Sequence, residues 1–306
     1  MKTIKGKGYK YAEKHPCYFH GISSFDVATG KVKNVEKGLS YTAVFARKLV
    51  ELGTENNRIV AITAAMSKGT GVNKFAEKFP DRTFDVGIAE EHAVTFAAGL
   101  AAEGMIPVVA VYSSFLQRAY DQILHDVCMQ NLHVIFAIDR SGLVGADGET
   151  HQGIFDTAFL SHIPNLVIMA PKNRYELTRA MEWAVAYDGP IAIKYARGQA
   201  YYGLKDYNEP VEYGKSEILR EGSEIALVAV GNMVEETEKL YNRFLQEGRQ
   251  VTFVNARFIK PLDKEMIDHL AETHKLIVTI EEGILHGGYG ALVEDCLLYT
   301  SPSPRD

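Results

Sequence analysis

From residue 41 onward, apolar runs alternate with amphipathic segments along the chain. Residues 41–52 place Phe45, Leu49 and Leu52 at helical spacing, and helices are also predicted at 115–130 and 174–187. The near-continuous apolar runs between them predict buried strands. These runs are 58–66, 106–112, 132–139, 165–171 and 190–196. Such an alternation favours a mainly parallel sheet that is covered by helices on both faces.

A polar, turn-rich stretch at 198–221 interrupts this alternation, and we interpret residues 201–214 as a linker. Further strands are then predicted at 223–231, 250–256 and 275–282, with helices at 233–248 and 261–274 and another that begins near Tyr289. The expected fold class is therefore α/β, with two doubly wound, mainly parallel-sheet domains over 39–200 and 215–296.

The two ends of the chain do not follow this pattern. Residues 1–38 hold no long periodic element and, on composition alone, read as a surface extension. In residues 297–306, Pro302 and Pro304 stop any helix. We expect this last segment to be a non-native tail, and it takes no part in the fold prediction.

The most informative stretch is TFDVGIAEEHAVTFAAGLAAEG at 83–104. A helix is predicted over 90–103, closed by Gly104. Glu90 and Glu91 lie in its first turn, where the helix dipole favours negative charge. The remainder of the helix is almost uncharged, which predicts that it is buried nearly all round and that at least one of the carboxylates is buried with it.

Two interpretations of these carboxylates stay open on the pattern alone. One is an ordinary helix start with acids that suit the dipole. The other is a functional carboxylate at a strand-to-helix junction, where α/β sheets place their sites. His92 and His125 lie on helices in apolar settings and are expected in the core or at an interface.

Composition and charge exclude several classes. The chain has 306 residues, 46% hydrophobic and 24% charged, as in an ordinary globular protein. Its net charge of −6 does not indicate the generally basic surface that binds nucleic acid. The apolar stretch at 94–112 is broken by Gly104 and Pro107, so no membrane span is predicted. Three scattered cysteines without CxxC spacing indicate neither a disulfide framework nor zinc, which fits the cytoplasm.

Several long motifs occur in a fixed order along the chain. They are KGKGY…AE..P…FHG at 5–21, FDVGIAEEHAVTFAAGLA at 84–101, YSSFLQRAYDQ at 112–122, DRSGLVGADGETHQGIFD at 139–156, ARG at 196–198 and EEG…GG at 281–288. In these motifs the chain resembles the 1-deoxy-D-xylulose-5-phosphate synthases, a thiamine-diphosphate enzyme family related to transketolase. The resemblance runs from residue 1 to about 296 and is far more specific than a lone short motif.

The resemblance implies a domain organisation. Family members have a first α/β domain that binds the diphosphate and Mg²⁺ through a GDG…N motif, a second that binds the aminopyrimidine ring, and a smaller third. This chain has no GDG followed by a suitable Asn. We therefore expect a fragment in which 1–38 is the tail of the first domain, the second is complete and the third is truncated. The Mg²⁺ ligands would lie outside it, and it would be inactive alone.

The resemblance also implies an activity. The family joins a two-carbon unit from pyruvate to D-glyceraldehyde 3-phosphate, with loss of CO₂, and forms 1-deoxy-D-xylulose 5-phosphate. This is the first step of the non-mevalonate route to isoprenoids, and the product also feeds thiamine and pyridoxal synthesis. A cytoplasmic homodimer is implied.

Cofactor-binding residues follow from the matched motifs. Glu90 matches the family's glutamate that bonds to pyrimidine N1′ of thiamine diphosphate and drives formation of the imino tautomer, which deprotonates the thiazolium ring. Phe115 matches the aromatic residue that stacks on the pyrimidine, although a core phenylalanine is the alternative. Ile88 and Tyr112 would line the same pocket, and Lys5 would contact the phosphates.

Three arginines match the family's substrate-phosphate site: Arg118, Arg140 and Arg197. Guanidinium suits phosphate because it binds bidentately. The alternative is three surface ion pairs of little energetic value. Arg140 and Arg197 follow predicted strand ends, which favours the phosphate site.

Three further residues match catalytic positions of the family. Asp147 and His151 lie in the glycine-punctuated loop GLVGADGETHQG, and such loops bring polar groups close to ligands. The resemblance implies that Asp147 approaches the cofactor amino group or the acceptor. It implies that His151 contacts substrate hydroxyls and helps to transfer protons. His20, in the FHG motif, matches a histidine near the reacting carbon.

Other functions stay open. A split transketolase C-terminal subunit and the β subunit of a 2-oxo-acid dehydrogenase consist of the same domain pair. The KGKGY…FHG opening and the GADGETHQGIFD loop favour the synthase. A non-catalytic α/β module that only dimerises is the alternative from another class.

Overall fold

The computed structural model of the chain describes residues 3–33 and 38–300. The chain forms two compact units, Met1–Gly38 and Leu39–Asp306. The first unit holds one short helix, α1 (Lys10–Lys14), and an antiparallel bridge between Phe25 and Val32. Its centre is a group of aromatic rings in which Phe19 packs edge-on against Tyr9 and Phe25.

The second unit is built on a seven-stranded sheet. In sheet order its strands are β10 (Phe258–Lys260), β5 (Val167–Met169), β6 (Ile191–Ala196), β4 (Ile135–Ser141), β3 (Ile106–Tyr112), β1 (Ile59–Thr63) and β2 (Thr83–Asp85). All neighbouring pairs are parallel except β10 with β5. The longer strands are buried along almost their whole length because helices cover both faces; the partly exposed residues are Tyr112 of β3 and Arg140 of β4.

Helices α2 (Tyr41–Glu55), α3 (Val72–Lys78) and α8 (Arg174–Ala186) cover one face, and their apolar side chains pack against alternate residues of the strands. On the other face lie α4 (Glu90–Ala102), α7 (Asp156–Leu160) and one continuous helical segment. That segment consists of α5 (Ser113–Leu116), a 3₁₀ turn at Gln117–Ala119, α6 (Tyr120–Gln122) and a π-helical stretch at Ile123–Cys128.

The second sheet has the strand order β11 (Leu276–Ile280), β8 (Ile225–Ala229), β9 (Val251–Asn255) and β7 (Glu217–Arg220). Only β7 is antiparallel to its neighbour. Helix α9 (Met233–Gln246) covers one face, while α10 (Lys264–Thr273) and α11 (Tyr289–Thr300) cover the other. No helix within residues 3–33 and 38–300 combines the length and apolar character needed to cross a membrane.

The predicted fold class, two mainly parallel α/β sheets, is confirmed. Several details differ. The strands β7 and β10 and the helix α3 were not predicted. The helix predicted at 115–130 changes its hydrogen-bonding pattern three times, from α to 3₁₀, back to α and then to π. Helix α11 continues through 297–300, which the pattern had excluded; residues 301–306, with Pro302 and Pro304, lie outside the described residues.

Helix α4 is not buried all round, contrary to the sequence prediction. Ala93, Val94, Ala97 and Ala98 are buried in the core, but Glu91, His92 and Thr95 on the opposite side are exposed in this chain. The reason is that the outward face carries Glu91, His92, Thr95 and Gly99, none of which has a large apolar side chain to bury. His125 is also exposed, so a core position is wrong for both histidines, and an interface position stays a prediction.

A buried ion cluster joins the two sheets of the second unit. Lys172 Nζ lies 2.6 Å from Glu217 Oε2 and 3.2 Å from Glu176 Oε1. Arg257 Nε lies 2.7 Å from Glu176 Oε1, and its Nη2 lies 3.3 Å from Glu217 Oε1. Burial alone would raise the pKa of the Glu176 carboxyl, but Lys172 and Arg257 hold that pKa below its ordinary value.

We expect Glu176→Ala to lower the free energy of unfolding by about 3–5 kcal/mol, because it leaves two buried cations, Lys172 and Arg257, to share the carboxylate of Glu217. Urea unfolding of the chain measures this. The matched control is Glu77→Ala, which removes an exposed partner of Lys74 and is expected to cost much less. Equal losses in the two variants would contradict the assignment of the cluster as a buried, mutually paired group.

Candidate functional site

The predicted site residues gather at the carboxyl ends of three neighbouring strands. Tyr112 ends β3, Arg140 lies near the end of β4, and Arg197 directly follows β6. Strands β3, β4 and β6 are adjacent in the sheet and parallel, so their ends meet at one edge. Ligands of open α/β sheets bind at this edge.

Glu90 is the first residue of α4 and is only 2% exposed. Its carboxylate faces Arg118, whose Nη1 lies 3.2 Å from Oε2 and 3.5 Å from Oε1. The Arg118 side chain is half exposed, so the carboxylate is covered while its partner reaches solvent. Glu91, the next residue, is exposed. The buried member of this acidic pair is therefore Glu90.

Aromatic rings connect Glu90 to the rest of the site. The Arg118 guanidinium lies 5.6 Å from the ring centre of Phe115. The Phe115 ring stacks on Tyr112 at 5.9 Å and meets the His151 ring edge-on at 5.2 Å. Phe115 is partly buried at the margin of the core, so its ring has both core neighbours and site neighbours.

A charged group follows beside Tyr112. The Arg140 guanidinium lies 3.9 Å from the Tyr112 ring centre, and its Nη1 donates to the Gly69 carbonyl at 2.7 Å. Asp147 Oδ2 lies 2.9 Å from Arg197 Nε and 3.4 Å from Arg140 Nε. Arg140 has a φ of +59°, a left-handed conformation that is uncommon for residues other than glycine and concentrates at functional sites.

Two buried atoms of this group keep unused hydrogen-bonding capacity. Asp147 Oδ2 and Arg140 Nε are at ion-pair distance, but neither makes a hydrogen bond of good geometry. Buried polar atoms of folded proteins are normally hydrogen-bonded, and exceptions need an explanation. A ligand with both donor and acceptor groups, placed between the arginines and Asp147, would satisfy both atoms.

The loop that carries Asp147 and His151 is closed at its base. Gly142 and Gly153 exchange both backbone hydrogen bonds, at 3.0 and 2.8 Å. Inside the loop, Gln152 accepts from the Val144 amide at 3.0 Å and donates to the Gly148 carbonyl at 2.8 Å. These hydrogen bonds hold the loop in a compact conformation.

A buried hydrogen-bond network around Asp156 holds the base of the loop in place. Asp156 accepts from Lys194 Nζ at 2.6 Å, from Ser141 at 2.6 Å and from Ser113 at 2.9 Å. These side chains belong to β6, β4, α5 and the start of α7. The strand that leads into the loop and the helix that carries Phe115 are thus tied to one carboxylate.

Asp139 is a site residue that the sequence prediction missed. It is fully buried, accepts from Thr42 Oγ1 at 2.7 Å and lies 2.8 Å from Arg140 Nη1. Burial raises the pKa of its carboxyl to about 6, although Arg140 and Thr42 act in the opposite direction. One signal for this residue was available in the sequence. Asp139 ends the apolar run 132–139, and a charged side chain is unfavourable inside a buried strand.

Other predicted site residues lie outside this group. Ile88 is 79% exposed, so no wall of this chain encloses it, and its role stays a prediction. Lys5 and His20 belong to the Met1–Gly38 unit, and their roles also stay predictions. Among the residues that the structure describes, no cluster of His, Cys, Asp and Glu could hold a metal ion.

Comparison with known proteins decides the family. The model of the transketolase pyrimidine-binding domain matches residues 37–201, and that of the transketolase C-terminal domain matches residues 214–299. The chain belongs to the transketolase family. Glu90, Phe115, Arg140 and Arg197 all lie within the stretch that matches the pyrimidine-binding domain.

Curated transketolase-family relatives of this chain include 1-deoxy-D-xylulose-5-phosphate synthases. Those of Lachnoclostridium phytofermentans and Clostridium tetani are 56% and 50% identical over 94% of this chain. The chain spans 46% of the length of both relatives. The high identity over nearly the whole chain confirms the resemblance seen in the motifs.

Solved transketolase structures share the fold. A split-gene transketolase, titled an inactive β4 tetramer, is 30% identical, with a TM-score of 0.79 and coverage of 87% of each chain. The transketolase of Campylobacter jejuni is 18% identical, with a TM-score of 0.70. The match covers 86% of this chain and 47% of the Campylobacter chain. At this identity, the similarity to the Campylobacter enzyme shows the fold alone.

Asp139 generates a prediction about stability and pH. Its folded-state pKa lies above the unfolded value, so its contribution to stability is complete below about pH 4 and is lost as pH rises through about 6. The free energy of unfolding of the wild type, minus that of Asp139→Asn, should therefore increase by about 1 kcal/mol from pH 7 to pH 5. Denaturant unfolding at several pH values measures the difference, and a flat difference would contradict the assigned pKa.

Proposed function

We propose that this chain is the pyrimidine-binding and C-terminal part of a 1-deoxy-D-xylulose-5-phosphate synthase. The proposed reaction condenses pyruvate with D-glyceraldehyde 3-phosphate, releases CO₂ and yields 1-deoxy-D-xylulose 5-phosphate. The observation that carries the proposal is the continuous group from the buried Glu90 carboxylate, through Arg118 and Phe115, to the Arg140–Asp147–Arg197 cluster. The level of identity to curated synthases supports this substrate pair over a ketose donor.

The group fits thiamine diphosphate. A buried carboxylate at 2% exposure beside a partly buried aromatic ring suits a protonated ring nitrogen and a flat heterocycle. When bound, the cofactor supplies the carbon nucleophile. Glu90 would hold a proton at pyrimidine N1′, and Phe115 would orient the ring by stacking. Tyr112 would pack behind Phe115. Asp147 Oδ2, which is paired with two arginines but makes no hydrogen bond of good geometry, would suit an amino group.

The arginines would bind the acceptor's phosphate. Arg140 and Arg197 both approach Asp147 Oδ2, so their guanidinium groups already converge on one oxygen anion. A phosphate presents the same kind of acceptor to both. Arg118 is half exposed and pairs with Glu90, so it could bind the phosphate or hold the carboxylate. Asp139 would keep Arg140 oriented.

His151 would move a proton in the proposed reaction. Its Nδ1 lies 3.0 Å from the Thr150 hydroxyl, which leaves Nε2 for a substrate hydroxyl or carbonyl. Its ring packs edge-on against Phe115, so the imidazole and the proposed stacking surface are adjacent. His20 would act near the reacting carbon, and Lys5 would contact the diphosphate.

The chain alone would not suffice for catalysis. Mg²⁺ and the diphosphate would be held by a part of the enzyme that corresponds to the portion of the relatives outside this match. The exposed side of α4 and Ile88 would face a second copy in a homodimer. The β chains of the split-gene transketolase, titled inactive as a tetramer, support the expectation of an inactive isolated chain.

A split transketolase subunit is the second candidate. It is favoured by the 87% mutual coverage with the split-gene β chain, which the synthases do not offer. In that case the complementary subunit would be a separate chain, and the donor would be a ketose phosphate. A β subunit of a 2-oxo-acid dehydrogenase and a dimerising module without activity stay as weaker alternatives.

The test is a chimera. Residues 1–296 replace the matching part of the Lachnoclostridium phytofermentans synthase, which is 56% identical. The chimera is assayed with pyruvate plus D-glyceraldehyde 3-phosphate and, in parallel, with a ketose phosphate donor. The proposal predicts turnover of the first pair. Turnover of the ketose donor alone would favour the second candidate.

In this chimera we expect Glu90→Gln to lose most turnover, because a neutral amide holds no proton for pyrimidine N1′ as a carboxyl does. Glu91→Gln is the matched control, since it changes an exposed carboxylate in the same helical turn, and it should keep most activity. Steady-state kinetics measure both. Near-normal turnover in Glu90→Gln would remove the assignment.

For the isolated chain we expect weak or undetectable binding of thiamine diphosphate with Mg²⁺, because no metal cluster is found among the described residues. Isothermal titration calorimetry measures this, with the chimera as the positive control. Tight binding by the isolated 306 residues would contradict the proposed division of the cofactor site.

A further inference from the structure

One carboxylate of the C-terminal domain reaches the loop that carries Asp147 and His151. Glu282 lies just after β11 in the second sheet. Its Oε2 accepts from the Leu143 backbone amide at 3.2 Å and from Asn232 Nδ2 at 3.0 Å. The first bond crosses from the C-terminal domain to the pyrimidine-binding domain, and the second keeps the carboxylate oriented from its own domain.

The backbone of the loop is shaped to receive this carboxylate. Gly142 has a φ of +78°, and a Cβ at this position would lie 2.2 Å from Glu282 Oε2 and 2.9 Å from Glu282 Cβ. Only glycine therefore allows the side chain to approach the loop at this point. The same glycine forms the closing pair with Gly153.

The surroundings of Glu282 are polar and nearly filled. A cavity of about 20 Å³ remains there, lined in part by Ser141, Lys194, Asn232 and Glu281. Such a volume holds one water molecule and no larger ligand. Glu281 is engaged elsewhere, since its Oε1 accepts from the Gly290 amide at the start of α11. Glu282 is thus the member of the EEG motif that contacts the loop.

We infer that Glu282 is a positioning residue: the C-terminal domain holds the loop of residues 143–153 through it, and thereby sets the places of Asp147 and His151. The loop is braced internally by Gln152 and from below by Asp156, but Glu282 supplies a side-chain bond to its first residue from the other domain. The importance of this position for catalysis rests on the function proposed above. The claim that Glu282 holds the loop in place does not depend on that function.

The test is amide hydrogen exchange of the 306-residue chain, followed by mass spectrometry over residues 143–153. Glu282→Ala should increase exchange in this loop about tenfold, since a hydrogen bond to a charged acceptor is lost. Glu282→Gln should stay close to the wild type because its carbonyl oxygen still accepts. Glu272→Ala, which removes an exposed glutamate of α10, is the matched control and should change nothing.

A second variant guards against simple destabilisation. Asn232→Ala removes the bond that orients Glu282 and should loosen the same loop, with no further loosening when it is combined with Glu282→Ala. Amides of β8 and β9 should exchange as in the wild type in all variants. Unchanged loop exchange in Glu282→Ala, or an equal increase in the strands, would overturn the inference. Because no cofactor or substrate is used, failure here is distinguishable from failure of the proposed function.

Discussion

The site depends on keeping one carboxylate charge-paired in a buried place. Glu90 is 2% exposed at the start of α4, and its partner Arg118 is half exposed. A buried carboxylate without a partner is costly, so this position must be matched either by a cation or by a ligand that shares a proton with it. A purely structural helix start does not need burial, because the exposed Glu91 suits the dipole equally well.

The rest of the unit brings the other candidate site residues together. Parallel strands β3, β4 and β6 end side by side, so Tyr112, Arg140 and Arg197 meet although they are distant in sequence. The buried Asp156 network fixes the base of the site loop, and the C-terminal domain reaches the same loop through Glu282. The second domain is also tied to the first by the ion cluster around Glu176. The second domain thus contacts the first both at the site loop and at this ion cluster.

Much of this was predictable from sequence. Long apolar strands and helices have a strong periodic signal, and the matched motifs assigned Phe115 and His151 to one site, where their ring centres lie 5.2 Å apart. Strands β7 and β10 were missed because three or four residues at an antiparallel edge carry no clear period. Asp139 was hidden at the end of a strand, and Glu282 acts across a domain boundary that local pattern does not encode. The outward face of α4 was missed because its polar residues, Glu91, His92 and Thr95, are outnumbered along the helix by alanines and other apolar residues.

The most direct test is a crystal structure of the chimera with thiamine diphosphate bound. The account predicts a Glu90 carboxyl oxygen at about 2.6–3.2 Å from pyrimidine N1′, with the Phe115 ring parallel to the pyrimidine. A cofactor bound elsewhere, or a Glu90 carboxyl still paired only with Arg118 while the pyrimidine contacts other residues, would contradict it.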